Sequence, residues 1–225
     1  MRALLVVVLF AVAACAAPVP TGPPPPESSP PVSSAPPRAE RLGPPVPLVP
    51  QRASGKYQVV RGEEAPRRGG GRVIRYLVEV ERGLPFDARE FAAEVHRTLN
   101  DVRGWGRFRR VGRPPATLRV ALSSPRLTDR ECRPLRTHGD LSCWNGTRAV
   151  INALRWAEGV PHFGGDLTAY RQYLINHEVG HSLGHRHARC PKKGRLAPVM
   201  LQQSRWLKGC RPNPWPHPGR GPRER

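Results

Sequence analysis

The sequence predicts an α+β domain, and three observations carry that expectation. The run Val73-Ile74-Arg75-Tyr76-Leu77-Val78-Glu79-Val80 is β-branched and partly alternating, the pattern of a strand. Directly after it, Phe91, Val95 and Leu99 recur at helical spacing behind Pro85-Phe86-Asp87, so an amphipathic helix is expected to pack on that strand's sheet. Further on, Leu174, Ile175, Val179 and Leu183 mark a longer helix from Leu167 to Leu183, with these apolar positions buried against the sheet.

Between the two helices the chain reads mostly as strands. Arg107 to Val111 and Thr117 to Leu122 are two of them, separated by Gly112-Arg113-Pro114-Pro115. A loop from Cys132 to Cys143 follows, then a strand from Arg148 to Ala153 flanked by Trp144 and Trp156, both expected in the core. Asp166 is placed to cap the long helix. Together these elements predict a folded domain over residues 55–210, enough chain for one hydrophobic core.

The ends differ in composition from this domain. Met1-Arg2 and the apolar run from Ala3 to Ala14 form a positive start and a hydrophobic segment too short to span a bilayer, the pattern of an export signal over residues 1–15. It closes on Val12-Ala13-Ala14-Cys15, which resembles a bacterial lipobox with Cys15 as the lipidated residue; a plain secretory signal cleaved near the same point is the other reading. Residues 16–54 are proline-rich and almost without aromatic residues, so they predict a disordered tether in polyproline II form. Residues 211–225, rich in proline and arginine, predict a disordered tail. The localisation expected from these features is extracytoplasmic, as a lipid-anchored membrane lipoprotein or a secreted protein.

Five cysteines are an odd number for an oxidising compartment. Lipid on Cys15 leaves four. Three connectivities are open to them, and the local pairs Cys132 with Cys143 and Cys190 with Cys210 are the expected ones.

One stretch carries the chemistry: His177-Glu178-Val179-Gly180-His181-Ser182-Leu183-Gly184-His185-Arg186-His187. On a helix, His177 and His181 are four residues apart and lie on one face, where two imidazoles can hold one ion. His185 would sit about 12 Å along the axis from His177 at a rise of ~1.5 Å per residue, while zinc–nitrogen bonds are only ~2 Å. The helix therefore has to break for a third ligand to reach the ion. Gly184 reaches left-handed angles at little cost, and the chain beyond it can return His187. His185 is the alternative third ligand, or a neighbour of the ligands. Three histidines leave a fourth position open, the arrangement of a catalytic zinc site, and Glu178 is placed to act as general base there. The other histidines, His96, His138, His162 and His217, are expected to be structural or at the surface.

With Glu178 and Gly184 in place, the stretch resembles the extended motif of the metzincin clan of zinc metalloproteases, H-E-x-x-H-x-x-G-x-x-H, at every defined position. The chain is also similar to a group of actinobacterial extracytoplasmic lipoproteins that share a metzincin-like core. The resemblance covers roughly Arg72 to Cys210 in order of elements. It implies a twisted mixed sheet with two long helices, the second carrying the motif, and a small C-terminal subdomain. It also implies a methionine turn at Ala197-Pro198-Val199-Met200, with Met200 as an apolar floor beneath the metal; an ordinary core methionine is the other reading. Gln202 stands where several metzincin families carry a tyrosine. By the same resemblance the strand around Thr147 to Asn152 would be an edge strand that pairs with the substrate backbone, unless it is internal and has no such role.

The function these residues imply is hydrolysis of peptide bonds in a protein or peptide substrate, with one Zn2+ per chain held by His177, His181 and His187. Two alternatives stay open: a non-proteolytic zinc-containing module that binds the cell envelope, and a zinc amidase acting on peptidoglycan peptides. The formal charge of +20, from 37 Lys and Arg against 17 Asp and Glu, suits an anionic envelope surface or acidic protein substrates. Nucleic acid is not expected as a partner, because the chain carries an export signal and no nucleic-acid-binding motif.

Overall fold

Side chains alternate between two faces along the longest strand, Val73–Glu81, and from Tyr76 onward both faces are buried. The computed structural model describes residues 47–220; the expected signal segment with Cys15, the tether as far as residue 46 and the last five residues of the tail lie outside them. In order, the elements are β1 (Tyr57–Val59), β2 (Val73–Glu81), α1 (Ala88–Leu99), β3 (Arg107–Arg110), β4 (Leu118–Ser123), α2 (Pro125–Glu131), β5 (Cys143–Trp144), β6 (Arg148–Asn152), α3 (Ala153–Glu158) and α4 (Leu167–Ser182). They form an α+β fold on a twisted mixed sheet in the order β1-β2-β4-β6-β5, with β3 also paired to β2. The strands β2, β3, β4 and β6 run parallel, whereas β1 and β5 are antiparallel to their neighbours.

Tyr76, Val78 and Val80 of β2, Leu118, Val120 and Leu122 of β4, and Ala149 and Ile151 of β6 face one way and build the main core with α1 and α4. The intervening residues face the other way. There the buried Glu79 carboxylate is shared by Arg119 of β4 and Arg148 of β6, and Glu81 accepts backbone N–H bonds from Gly55 and Ser124, both at 2.7 Å. These buried charges are tolerated because each carboxylate is fully hydrogen-bonded.

α1 begins where Asp87 accepts from the N–H groups of Arg89 and Glu90, and α4 begins where Asp166 accepts from Ala169 N–H. From Tyr173 to Gly180, α4 is buried on all sides, between the sheet, α1 and the C-terminal segment. Leu183, expected in the core, is instead 36% exposed because the helix has already ended at Ser182.

The domain extends past both expected limits. Val49 is buried and the Gln51 carbonyl accepts from Arg126 N–H, so residues 47–54 are docked rather than part of a tether. At the other end Asn213 and Trp215 are buried, and Trp215 receives the Arg103 guanidinium over its ring at 4.0 Å. Their proline- and arginine-rich surroundings concealed two anchors. The strand at Arg148–Asn152 is internal, not an edge: β4 covers one side and the two-residue β5 the other. Ala153, expected as its last residue, opens α3 after Asn152 caps that helix. Both disulfides form as the local pairs, Cys132–Cys143 and Cys190–Cys210. Among the described residues no helix is long and apolar enough to cross a membrane.

Candidate metal centre

The end of α4 determines where the histidines go. Gly184 has φ +90°, Gly184 N–H bonds to the His181 carbonyl, and His185 N–H bonds to the Gly180 carbonyl, both at 3.0 Å. This is a Schellman termination, which satisfies the last helix carbonyls while turning the chain sharply. Three residues past the glycine, His187 comes back against the helix. One ring nitrogen from each of His177, His181 and His187 lies within 4.8 Å of the others, and His181 Nε2 is 3.2 Å from His187 Nε2. His185 does not join them. Its ring stacks on Trp105 at 4.2 Å, while its carbonyl serves the site.

Two main-chain carbonyls orient the rings. His177 Nδ1–H donates to Val199 O at 2.8 Å, and His181 Nδ1–H donates to His185 O at 2.9 Å. A carbonyl only accepts, so both protons sit on Nδ1 and both Nε2 lone pairs are left for an ion. Burial lowers the pKa of all three histidines, that of His177 to about 3, which keeps them in the neutral form a metal requires. The donor set is three imidazole nitrogens with no thiolate. Two of them stand close to the ~3.3 Å that tetrahedral bonds of ~2.0–2.1 Å impose, so the residues fit zinc.

Met200 packs against the helix that carries His177 and His181. Gly180, within the helical turn that joins His177 to His181, lets it approach: a Cβ there would stand 2.5 Å from Met200 Sδ and 2.9 Å from Trp105 Cζ2. Ala188 N–H donates to Met200 O at 3.0 Å, tying the segment beyond His187 to the same turn. Trp105 meets the same glycine, its indole N–H bonded to Asn176 O at 2.8 Å.

Glu178 is buried, and desolvation raises its carboxyl pKa to about 8. It accepts no hydrogen bond from any described residue, yet it lines the same cleft of about 460 Å³ as the three histidines. Leu135, Leu141 and Trp144 form apolar wall, and Gln202 also reaches the cleft. Trp156 is in the core as expected, but Trp144 is only partly buried and belongs to the cleft. The Tyr173 hydroxyl is already engaged, accepting from Gln203 N–H and donating to Leu201 O.

Residues 43–209 match the family described as "Protein of unknown function (DUF3152)". The chain belongs to this family. The matched segment begins close to where the described fold begins and reaches past the Met200 turn, so it contains every residue of the candidate centre. No curated protein and no solved structure matches this DUF3152 chain.

Sequence reasoning missed several parts of the site. The carbonyls of Val199 and His185 carry no side-chain signal. Trp105 comes from a loop 72 residues before His177 and is placed only by the fold. The one available cue was Gly180, because a glycine inside a helical pattern marks a close approach.

Other expectations resolve as structural roles. His96 Nδ1 meets the Tyr76 hydroxyl at 2.9 Å, and His162 bonds to the Gln203 carbonyl at 2.7 Å. His217 packs edge-on to Trp105.

Proposed function

We propose that this DUF3152 protein is a zinc-dependent peptide hydrolase of metzincin type that works outside the cytoplasm. The observation that carries the reading is the pairing of a three-histidine cluster with a buried carboxylate, Glu178, that has no hydrogen-bond partner among the described residues and opens onto the same cleft. A purely metal-holding or ligand-binding site has no use for such a group. Buried carboxylates elsewhere in the chain, Glu79 and Glu81, are tied into hydrogen bonds, whereas Glu178 is left available.

His177, His181 and His187 would hold the metal. Bound there, zinc supplies a Lewis acid for the scissile carbonyl and lowers the pKa of water. Glu178, one residue from a ligand and on the same helix, would be held ionised by the charge of a bound metal against the effect of its burial; as a carboxylate it takes a proton from the attacking water and passes it to the departing amine nitrogen. Val199 and His185 hold the imidazoles in the required tautomer through their carbonyls, and Met200 with Gly180 keeps the turn between His177 and His181 in place. The apolar wall of Leu135, Leu141 and Trp144 receives substrate side chains. Two disulfides suit an oxidising compartment, in keeping with the export signal and the lipid anchor expected at Cys15.

The test is metal content together with peptide hydrolysis. The purified chain should bind one zinc, lose it with His177→Ala or His187→Ala, and keep it with His185→Ala. Glu178→Gln should retain zinc and lose hydrolysis by on the order of 10²–10⁴-fold. Full activity in Glu178→Gln, or metal retained without His177, would sink the proposal.

A further inference from the structure

Resting on the peptide-hydrolase reading, we infer that the cleft selects peptides with acidic side chains beside the bond presented to the histidine cluster. Three arginines from three separate stretches of chain converge on it. Arg136 comes from the loop closed by Cys132–Cys143, Arg186 from the turn between Gly184 and His187, and Arg205 from the segment after Met200. All three are exposed, and none forms an ion pair with a carboxylate among the described residues. Some arginines elsewhere are matched, Arg119 and Arg148 sharing Glu79, Arg110 meeting Glu64 and Arg155 meeting Asp140; others at the surface, Arg61, Arg89 and Arg113 among them, pair with no described carboxylate, and what sets Arg136, Arg186 and Arg205 apart is that they meet at the cleft.

Among the described residues Glu178 is the one carboxylate in the lining, and it is buried beside the histidines. The rim therefore presents three uncompensated guanidinium groups around an apolar patch. In a concavity such charges focus their field, and the planar guanidinium pairs with a carboxylate through two parallel hydrogen bonds. Arg205 is also held in place, its guanidinium 4.6 Å from the Trp206 ring centroid. The overall charge of +20 attracts anions without direction, whereas these three positions place the attraction at the cleft.

The experiment uses the full chain carrying Glu178→Gln, loaded with zinc, and two fluorescent peptides of one apolar scaffold, one with three Glu and the other with three Gln. By anisotropy at low salt the Glu peptide should bind about tenfold tighter, the advantage shrinking as salt rises. The triple variant Arg136→Ala, Arg186→Ala, Arg205→Ala should bring the two peptides to parity with zinc content unchanged. A control triple at Arg61, Arg89 and Arg113, which are exposed and outside the cleft, should not. Equal binding of both peptides, equal loss in the control triple, or displacement by an oligonucleotide of the same charge at equal affinity would overturn the inference. Preferential binding of the Glu peptide with no cleavage of either peptide by the unsubstituted chain would remove the hydrolase reading and leave the acidic preference standing.

Discussion

Two disulfide-stapled segments both contribute to the lining of the cleft, and they are built on different principles. The segment between Cys190 and Cys210 is knitted inward. Gln203 is fully buried, with its amide bonded to the carbonyls of Asn213 and Pro198 and its side-chain oxygen accepting from Asn213 N–H. Asn213, just beyond the bridge, donates to Ala197 O and Trp215 O, both at 2.8 Å, and accepts from Trp215 N–H. The segment between Cys132 and Cys143 is held at its base, by Asp129 accepting from Thr137 and Gly139 and by Asn152 donating to Gly139 O, while its tip stays open. Leu135 there is 57% exposed. A saturated buried polar network selects one conformation, so the first segment is suited to positioning the proposed metal ligands; an anchored loop with a free tip is suited to meeting a substrate.

The sharpest way to break this contrast is to cut the inward network. Asn213→Ala removes a side chain that satisfies two main-chain carbonyls and one N–H, all buried. Leaving such groups unpaired costs ~1–3 kcal/mol each, so a total loss of about 3–5 kcal/mol is expected in denaturant unfolding. Loss of under 1 kcal/mol would mean that the network is not what holds the Met200 turn.

Removing the bridges separately comes next. Loop-closure entropy predicts about 3 kcal/mol for either one, since their sequence separations of 11 and 20 differ little on a logarithmic scale. Function should separate them. Cys190→Ser with Cys210→Ser loosens the chain that links His187 to Met200 and should weaken zinc binding by about 10–100-fold, the range for groups that orient ligands. Cys132→Ser with Cys143→Ser should leave zinc affinity within about twofold and raise KM. Equal metal loss in both variants would erase the functional distinction between the segments.

How much of this was legible in the sequence follows from how locally each feature is encoded. α1 carries its periodicity, and β2 its β-branched run, within a dozen residues, whereas α4, buried on all sides, is legible through its apolar run and the spacing from His177 to His187, which brings the ring nitrogens together through one helix and one glycine turn. α2, with the sequence Pro125-Arg126-Leu127-Thr128-Asp129-Arg130-Glu131, has too few apolar residues to show a face, and at its start Ser124 N–H donates to the distant Glu81 carboxylate. β1 and β5 are three and two residues long and exist only because β2 and β6 offer them an edge. For the same reason the sequence did not reveal that the strand before the long helix is internal. The rim of the cleft was equally hidden, because Arg136, Trp144, Arg186 and Arg205 meet through topology and not through spacing.

The smallest expected effect tests the open tip itself. Leu135 is more than half exposed yet lines the cleft beside the disulfide loop. An exposed apolar residue contributes little to folding, so Leu135→Ser should change stability by no more than about 0.5 kcal/mol. If the tip meets substrate, the same change should raise KM for peptides with an apolar residue next to the scissile bond while kcat and zinc content stay as they were, the signature of binding lost equally from ground and transition states. A fall in kcat with KM constant would instead place Leu135 with the positioning groups. The two stapled segments would then share a role that their hydrogen bonding divides between them.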